Sequence, residues 1–419
     1  MNNEPFIVGL DLGSSAIRLA VGQRVSVSEK ESELQVVGAF EVPSAGISKG
    51  VISSIEDATA AVSSCLEKAE RVLGAPLERA WVGISGLHIL TEESRGVVAV
   101  GKPNGEITEE DVERAIEAAR TVATPLNYEI LHVIPKSFTV DGQSGVKDPV
   151  GMTGIRLEVD AQIIQGLSSQ IKNLTKCVYR TGLDIEDLVL SILAATETIT
   201  SSRQKELGVA VVDLGSSTTS YVVFEEGDLL TTGIIPIGSD HITSDIAIGL
   251  RTSIDVAERV KIEHGTALPK EINKKEEINL GDLGGENELV SRRYIAEIIQ
   301  ARVEEIFERI DRELKKIGRS AMLPSGIIFT GGGARLNGLV ELAKEKLRLP
   351  ASLGYPGGVS SLLDRGSDTS FATAVGLTVW GYEMSKDRAP KGRLSQFVSI
   401  RGLGKVSMGL KKLFKSLIP

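Results

Sequence analysis

One five-residue string, Asp-Leu-Gly-Ser-Ser, occurs twice in the chain, at 11–15 and again at 213–217. Each copy lies between two short β-prone runs, so each is predicted to be a β-hairpin with a polar turn. The backbone N–H groups of a Gly-Ser turn can surround an anion, and an aspartate at a strand end can hold a metal ion nearby. The repeat therefore predicts two related halves that close on one phosphate-binding site.

A third turn, Gly331-Gly332-Gly333, follows an apolar run at 326–330 and precedes a predicted helix at 336–347. Glycines at a strand-to-helix turn allow the backbone to approach a ligand closely. A single glycine cluster is weak evidence, because many loops use glycine for turns. Two matched hairpins followed by this turn form a much more specific pattern.

Length and composition limit the classes of protein that fit. A chain of 419 residues is too long for one ordinary core, so two or more domains are expected. The two cysteines, Cys65 and Cys177, favour a reduced cytosolic protein, and the four histidines lack metal-ligand spacing. We expect no signal peptide and no membrane-spanning segment, because no run of about 18 apolar residues is present.

The C-terminal segment is strongly basic, although the chain has a net charge of −9. Residues 386–419 contain nine Lys or Arg and one acidic residue, which leaves about −17 on the remaining chain. Such an acidic body argues against nucleic-acid binding. Residues 385–404 are predicted to be a flexible basic linker.

Residues 405–419 show helical spacing, with an apolar stripe on one face and lysines on the other. This pattern suits an anionic membrane surface; docking on the protein's own domain and binding in a partner groove are the alternatives. The predicted membrane contacts are Leu410, Lys411, Lys412, Leu413, Phe414, Lys415, Leu417 and Ile418.

The order of the three turns resembles the actin-like ATPase superfamily of actin, MreB, DnaK-type chaperones and sugar kinases. The resemblance implies two α/β lobes with ATP between them, and Mg²⁺ held by Asp11 and Asp213 through waters. For Glu258 and Lys261, a solvated helix face is the alternative to nucleotide contact. The implied cofactor-binding residues are Asp11, Gly13, Ser14, Ser15, Arg18, Asp213, Gly215, Ser216, Ser217, Thr218, Glu258, Lys261, Gly331, Gly332, Gly333 and Arg335.

Segments between the turns closely resemble the bacterial cell-division family FtsA, the actin homologue that tethers the FtsZ ring to the membrane. Examples are Gly-Ile-Ser-Lys-Gly-Val-Ile at 46–52, Asp-Pro-Val-Gly-Met-Thr-Gly at 148–154 and Phe-Ala-Thr-Ala-Val-Gly-Leu at 371–377. The resemblance implies an α/β, actin-like two-lobed fold with a duplicated core. The implied parts are subdomain 1A at 1–83 and 163–205, an inserted 1C at 84–162, 2A at 206–249 and 326–384, 2B at 250–325, the linker at 385–404 and a membrane-targeting amphipathic helix at 405–419.

The same resemblance implies a polymerising protein at the cytoplasmic face of the cell membrane, at the division site. Its implied partners are the FtsZ C-terminal peptide, further copies of itself, the anionic membrane and, through 1C, other divisome proteins. Arg292, Arg293 and Arg302 on a predicted helix at 292–314 are the candidates for pairing with peptide carboxylates. Pairing with glutamates of their own helix explains these arginines equally well.

The chain departs from the FtsA pattern at the phosphates. Ala16 stands where the family commonly has lysine, and Ser220 stands where it commonly has an acidic residue. Arg18, on the same strand face as Ala16, is expected to replace the lysine in part. We therefore expect at most a slow ATPase, with Glu197, on a predicted helix at 188–200, as the candidate for orienting water; a plain surface charge is the alternative.

Two other functions share the two-lobed clamp. A sugar-kinase-like phosphotransferase would need a catalytic base aimed at a hydroxyl, and no second acidic residue is found near either hairpin. A PilM-like pilus assembly ATP-binding protein would have a similar insertion, but it would not explain the amphipathic pattern at the C-terminus.

Overall fold

The computed structural model describes residues 6–26, 32–122, 125–357, 360–361 and 368–386. Within them the chain forms two lobes and one inserted subdomain, each built around its own β-sheet. The predicted membrane-targeting helix and the linker after residue 386 lie outside the described residues.

Lobe 1 is a mixed six-stranded sheet in the order β11-β6-β1-β2-β3-β19. Helices α1 and α3 pack on one face of it, and α10 packs on the other. Its elements are β1 (Ile7–Leu12), β2 (Ala16–Ser26), β3 (Ser32–Pro43), β4 (Ile47–Ser48), β5 (Val51–Ile52), α1 (Ile55–Leu73), β6 (Arg79–Ile84), α3 (Ser168–Tyr179), β11 (Asp184–Leu190), α4 (Ser191–Ile199), α5 (Ser202–Leu207), β19 (Ser360–Ser361) and α10 (Ala372–Lys386).

The inserted subdomain leaves lobe 1 after β6 and returns to it before α3. Its sheet has the order β7-β10-β8-β9, and α2 covers one face. Its elements are β7 (Ile89–Ala99), α2 (Glu109–Val122), β8 (Tyr128–Val140), β9 (Gln143–Val146) and β10 (Arg156–Leu167).

Lobe 2 is a five-stranded sheet in the order β14-β13-β12-β17-β18. One continuous apolar core joins this sheet to the helices α6 to α9. The elements are β12 (Val209–Leu214), β13 (Thr219–Glu225), β14 (Asp228–Ile235), α6 (Ser239–Leu250), α7 (Ile254–His264), β15 (Glu277–Asn279), β16 (Leu289–Ser291), α8 (Arg292–Lys316), β17 (Ile327–Thr330), α9 (Leu339–Leu347) and β18 (Ala351–Leu353).

The two lobes repeat one topology, as the duplicated string predicts. In lobe 1, β1 pairs antiparallel with β2 and parallel with β6. In lobe 2, β12 pairs antiparallel with β13 and parallel with β17. The register repeats as well, because Asp11 lies opposite Arg18 and Asp213 lies opposite Ser220. Both aspartates therefore stand at the same place in equivalent central strands.

Helices α4 and α10 form the layer between the two large sheets. Their apolar residues share one core with Trp81 of lobe 1 and with Val211 and Val222 of lobe 2. The helices cross closely: a Cβ added at Gly376 of α10 would lie 2.0 Å from the carbonyl oxygen of Ala194 in α4. Glycine is therefore required at this crossing.

The helix predicted at 292–314 is confirmed as α8, and two predicted helices begin later than expected. Ser54 caps α1, and the Thr108 and Asp111 pair caps α2 by reciprocal hydrogen bonds. The helix predicted at 336–347 begins at Leu339, because a 3₁₀ turn (Gly332–Arg335) comes first. The helix predicted at 188–200 begins at Ser191, because the residues up to Leu190 extend β11.

Both cysteines are buried and free, as the reduced state predicts. Among the residues described, no helix is long and apolar enough to cross a membrane.

Candidate nucleotide-binding cleft

A cavity of about 400 Å³ lies between the two lobes. Both Gly-Ser hairpins, the Gly331–Gly333 turn and one face of α7 line it. Every residue predicted to bind the cofactor is part of this lining, including Glu258 and Lys261, for which a solvated helix face was the alternative. The duplicated string and the third glycine turn, far apart in the chain, are thus brought to one place.

The two hairpin turns owe their shape to their glycines. A Cβ at Gly13 would lie 2.6 Å from the carbonyl oxygen of Ala16, and one at Gly215 would lie 2.9 Å from that of Thr218. The second turn is also held by α6, because the N–H of Ser239 donates to the Gly215 oxygen at 2.9 Å. Both turns line the cavity, and the backbone N–H groups of such Gly-Ser turns are suited to an anion.

Asp11 and Asp213 lie close enough across the cleft to influence each other. Burial raises the pKa of Asp11 to about 7, Arg18 opposes the rise, and the neighbouring Asp213 adds to it. Burial likewise raises the pKa of Asp213 to about 6, against the influence of Arg18. Arg18 is the positive group of the described lining that acts on both carboxylates, and it does not cancel the effect of burial. A bound cation would therefore stabilise the two aspartates in their charged form.

Residues of the cavity fit a magnesium nucleotide. Carboxylate oxygens from opposite lobes are ligands that Mg²⁺ accepts directly or through water. The glycine turns on both sides supply backbone donors for phosphate oxygens. Among the residues with structural data, no cluster of three or more His, Cys, Asp or Glu forms a metal cage, so a metal here would need phosphates or water to complete its shell.

Glu258 and Lys261 form a small network at the α7 end of the cleft. The Lys261 Nζ lies 2.6 Å from Glu258 Oε2 and donates to Thr243 Oγ1 at 2.8 Å. The Thr243 hydroxyl in turn donates to Glu258 Oε2 at 2.5 Å. This network fixes both charged side chains in place beside the cavity.

Arg335, which follows the Gly331–Gly333 turn, is also held by polar contacts. Its Nε donates to Asp368 Oδ1 at 3.0 Å, and its Nη2 donates to the Ser370 hydroxyl at 2.9 Å. Burial works against ionisation of Asp368, but the hydrogen bonds from Arg335 and Ser370 outweigh it and lower the pKa of Asp368 below its usual value. The guanidinium plane therefore has a fixed orientation at the mouth of the cleft.

Sequence reasoning missed several residues of the lining. Ser85 and Ser191 come from lobe 1 strand ends, and the Ser85 hydroxyl lies 3.2 Å from that of Ser220 in lobe 2. Their position after β6, the parallel neighbour of β1, and after β11, the parallel neighbour of β6, was the available signal, since such strand ends meet at one sheet edge. The other missed residues are Leu12, Gly50, Ser239, Asp240, Ile242, Ile262, Gly265, Leu336, Asn337, Thr369, Ser370, Ala372 and Thr373.

Glu197 does not line the cavity, unlike the predicted cofactor-binding residues. Its Oε1 accepts a hydrogen bond of 2.9 Å from the buried Lys205, whose ammonium also lies 5.2 Å from the ring centre of Phe224. The geometry gives Glu197 a structural role as the partner of a buried cation. Glu197 has no contact with the cleft that would support its predicted role in orienting water.

The three arginines predicted to bind a partner all have intramolecular acidic partners. Arg302 Nη2 and Nε donate to both oxygens of Asp245 at 2.8 and 2.5 Å, and Arg302 also pairs with Glu305. Arg293 pairs with Glu297 at 3.2 Å, four residues along α8. Arg292 pairs with Glu276, outside its own helix. The alternative of pairing within the helix therefore holds for Arg293 and in part for Arg302.

The fold and the cleft define the class of protein, an actin-like ATPase fold. Two solved structures with this fold are the PilM–PilN type IV pilus biogenesis complex and MreB5 of Spiroplasma citri bound to ADP. The first has a TM-score of 0.65 and 17% identity and covers 90% of this chain and 98% of its own. The second has a TM-score of 0.53 and 12% identity and covers 92% and 98%.

Sequence comparisons define the family within that class. The family model for cell division protein FtsA matches residues 210–376, and that for the SHS2 domain inserted in FtsA matches residues 86–165. FtsA of Pseudomonas aeruginosa is 36% identical, over 91% of this chain and 90% of its own length. FtsA of Bacillus subtilis is 39% identical (90% and 83%), and that of Escherichia coli is 30% identical (90% and 90%). The chain belongs to the FtsA family of cell division proteins.

Proposed function

We propose that the chain binds ATP with Mg²⁺ between its lobes, and that it works as a polymerising adaptor between the FtsZ ring and the membrane. The observation that carries the nucleotide site is the placement of Asp11 and Asp213. Each ends a central strand, each precedes a Gly-Ser turn, and both face one cavity from opposite lobes. Closing two such hairpins on one polyphosphate would hold the lobes together.

Magnesium would neutralise phosphate charge when it is bound, and the chain's own residues would do the positioning. Asp11 and Asp213 would orient the ion, the turns at Gly13 and Gly215 would hold phosphate oxygens, and Arg18 would add a positive charge beside them. Glu258 and Lys261 would bind the adenosine end. These interactions hold a nucleotide in place without requiring that it be cleaved.

Hydrolysis is proposed to be slow because the two lining carboxylates that are not proposed to hold magnesium, Asp240 and Glu258, have other partners. Glu258 is bound to Lys261 and Thr243, and Asp240 Oδ2 accepts a hydrogen bond from Ser217 at 3.3 Å. Ser220, at the position where the family commonly has an acid, contacts Ser85 instead. A steady-state turnover above about 1 s⁻¹, an ordinary enzyme rate, would contradict this proposal.

Lobe 2 offers the surface for an FtsZ C-terminal peptide. Ile248 of α6 and Tyr294 of α8 are exposed, and Tyr294 lies near Gly249 beside Ile298. Arg302 lies farther along the same helix. Since a peptide carboxylate would have to compete with Asp245 for Arg302, we propose that the apolar side chains contribute most of the affinity.

Membrane attachment is assigned to residues 405–419. One short amphipathic helix has a small apolar face, so a single copy should bind reversibly and a filament should bind firmly through avidity. Attachment at the cytoplasmic face of the membrane therefore depends on polymerisation. Other divisome proteins are proposed to bind the inserted subdomain.

Neither alternative function has comparable support. The PilM resemblance is one of fold, at 17% identity, whereas the FtsA relatives reach 30–39% identity over most of the chain. A phosphotransferase would need a base free to take a proton from a hydroxyl. The carboxylates of Glu258 and Asp240 are already paired, and those of Asp11 and Asp213 are proposed to hold magnesium.

The test of the adaptor role is electron microscopy on anionic lipid monolayers with ATP, alongside sedimentation with vesicles. We expect filaments on the monolayer, and we expect Phe414→Glu with Leu417→Glu to abolish vesicle binding. Ser407→Glu with Ser416→Glu is the control, because it adds the same charge outside the apolar stripe. Unchanged vesicle binding by the Phe414 and Leu417 variant would refute the membrane assignment.

A further inference from the structure

Arg18 occupies a row of three charged residues across the strands of lobe 1. In β2 it lies directly opposite Asp11 of β1 on one side and opposite Glu41 of β3 on the other. Its Nε donates to Glu41 Oε2 at 2.6 Å, and its side chain is 13% exposed. The guanidinium thus stands between a carboxylate inside the cleft and one at its outer edge.

Two contacts fix the orientation of this guanidinium. Glu41 takes the Nε donor, and the guanidinium carbon lies 5.8 Å from the ring centre of the buried Phe371. No partner of Nη1 or Nη2 is found among residues 6–26, 32–122, 125–357, 360–361 and 368–386. Both terminal nitrogens remain available to the cavity that Arg18 lines.

The cleft has no second cation at the equivalent place in lobe 2. Ser220 stands opposite Asp213 where Arg18 stands opposite Asp11. The other cations of the lining, Lys261 and Arg335, are held by Glu258 and Asp368. Arg18 is therefore the cation, within the described lining, that acts on both Asp11 and Asp213.

An unrestrained Arg18 would have a strong reason to move. Asp11 and Asp213 are buried and attract it, and a bidentate pair with either would be stable in this environment. Such a pair would use up the carboxylates that a magnesium ion needs and the donors that phosphates need. The hydrogen bond that Arg18 donates to Glu41 opposes this movement.

We propose that Glu41 is a positioning residue for nucleotide phosphates, acting through the hydrogen bond that holds Arg18 in the cleft. It resides outside the cavity lining and touches no phosphate itself. The inference rests on the proposed nucleotide binding and adds the residue that orients its cation. In this chain the Arg18–Glu41 pair supplies what the lysine missing at position 16 would have supplied.

The test is calorimetric titration of the full-length protein with ATP, ADP and AMP, each with Mg²⁺, for wild type and Glu41→Gln. We expect Glu41→Gln to weaken the binding of ATP and ADP about fivefold or more, as the loss of one charged hydrogen bond would do. The affinity for AMP should be unchanged. Retained AMP binding shows that the site is folded. Glu186→Gln, which removes the Arg79–Glu186 pair between β6 and β11 of the same sheet, is the matched control and should leave the affinity for all three nucleotides unchanged.

A double-mutant cycle separates positioning from general stability. Arg18→Lys keeps the charge but loses the Nε donor, so Glu41→Gln should have little further effect in that background. Equal loss of AMP and ATP in Glu41→Gln, unchanged ATP affinity, or additive effects in the cycle would overturn the inference. Failure of the wild type to bind any nucleotide would overturn the proposed function and this inference together, so the two failures are distinguishable.

Discussion

At the scale of single residues, the facing aspartates define how the cleft responds to charge. Their pKa values of about 7 for Asp11 and about 6 for Asp213 lie above the ordinary value for aspartate, mainly because both are buried. The folded protein without nucleotide therefore holds these protons more tightly than the unfolded chain does. This contribution to stability is complete below about pH 4 and is lost as the pH rises through 6 to 7.

Asp11→Asn should remove the loss of stability at high pH that comes from ionisation of Asp11, because an amide stays neutral at every pH. Without nucleotide, we expect the variant to melt at least about 2 °C above wild type at pH 8 and to lose the advantage near pH 5. Differential scanning calorimetry at both pH values measures this. Asp184→Asn, at the exposed opposite end of the same sheet, should show no such pH dependence. A melting temperature for Asp11→Asn below that of wild type at pH 8 would contradict the assignment.

At the scale of elements, Asp111 fixes the start of α2. Its Oδ2 accepts from the N–H and hydroxyl of Thr108 at 2.9 and 2.8 Å, and its Oδ1 accepts from the N–H of Gly101 at 2.9 Å. Burial opposes ionisation of Asp111, but these hydrogen bonds and Arg114 outweigh it and hold its pKa well below the usual range. The carboxylate therefore joins α2 to the strand end that precedes it.

Asp111→Asn should cost about 1–2 kcal/mol, since an amide cannot accept all of these hydrogen bonds. Because the pKa of Asp111 is lowered on folding, its contribution is present above about pH 4 and is lost below it. Hydrogen exchange of α2 should be faster in the variant at pH 7, and the difference should shrink in acid. Glu110→Gln, an exposed neighbour in the same turn, is the control. Equal protection of α2 in wild type and Asp111→Asn would refute this account.

Local patterns predicted the elements well wherever a residue's role depends on its neighbours in sequence. The hairpins and the glycine turn follow from spacing alone. The start of α4 was misplaced because the apolar run before Ser191 fits a strand and a helix equally.

Partners that are distant in sequence could not be predicted from the chain. Arg302 pairs with Asp245, 57 residues away, and Arg18 of β2 pairs with Glu41 of the neighbouring strand β3. The alternative weighed for Arg302, pairing on its own helix, found Glu305 and missed Asp245, the bidentate partner. Long-range pairing depends on how sheets and helices pack, which a single sequence does not specify.

At the scale of the whole molecule, the inserted subdomain touches both lobes. The chain connects it to lobe 1 at Ile89 and Leu167, and Ile134 and Ile164 join the apolar core that includes Leu229 of lobe 2. A polar contact adds to this, because Lys147 Nζ lies 3.0 Å from Asp228 Oδ2 in lobe 2. The subdomain should therefore move when the lobes change their angle.

Lys147→Glu should loosen this attachment, because it places two like charges together at the start of β14. We expect faster hydrogen exchange in β8, β9 and β14, by about fivefold, as the loss of about 1 kcal/mol would give. The charge swap Lys147→Glu with Asp228→Lys should restore most of the protection. Arg95→Glu, whose partner Asp160 lies within the inserted subdomain, is the control. No change in exchange for Lys147→Glu would mean that the apolar core alone holds the subdomain.

The central claim is that one nucleotide joins the two halves through Asp11 and Asp213. Isothermal titration of MgATP into the full-length protein, with Asp11→Asn and Asp213→Asn measured separately, tests it most directly. The account predicts one site per chain, dependence on Mg²⁺, and at least about tenfold weaker binding in either variant, with Asp184→Asn like wild type. Undiminished ATP binding in both variants would contradict it.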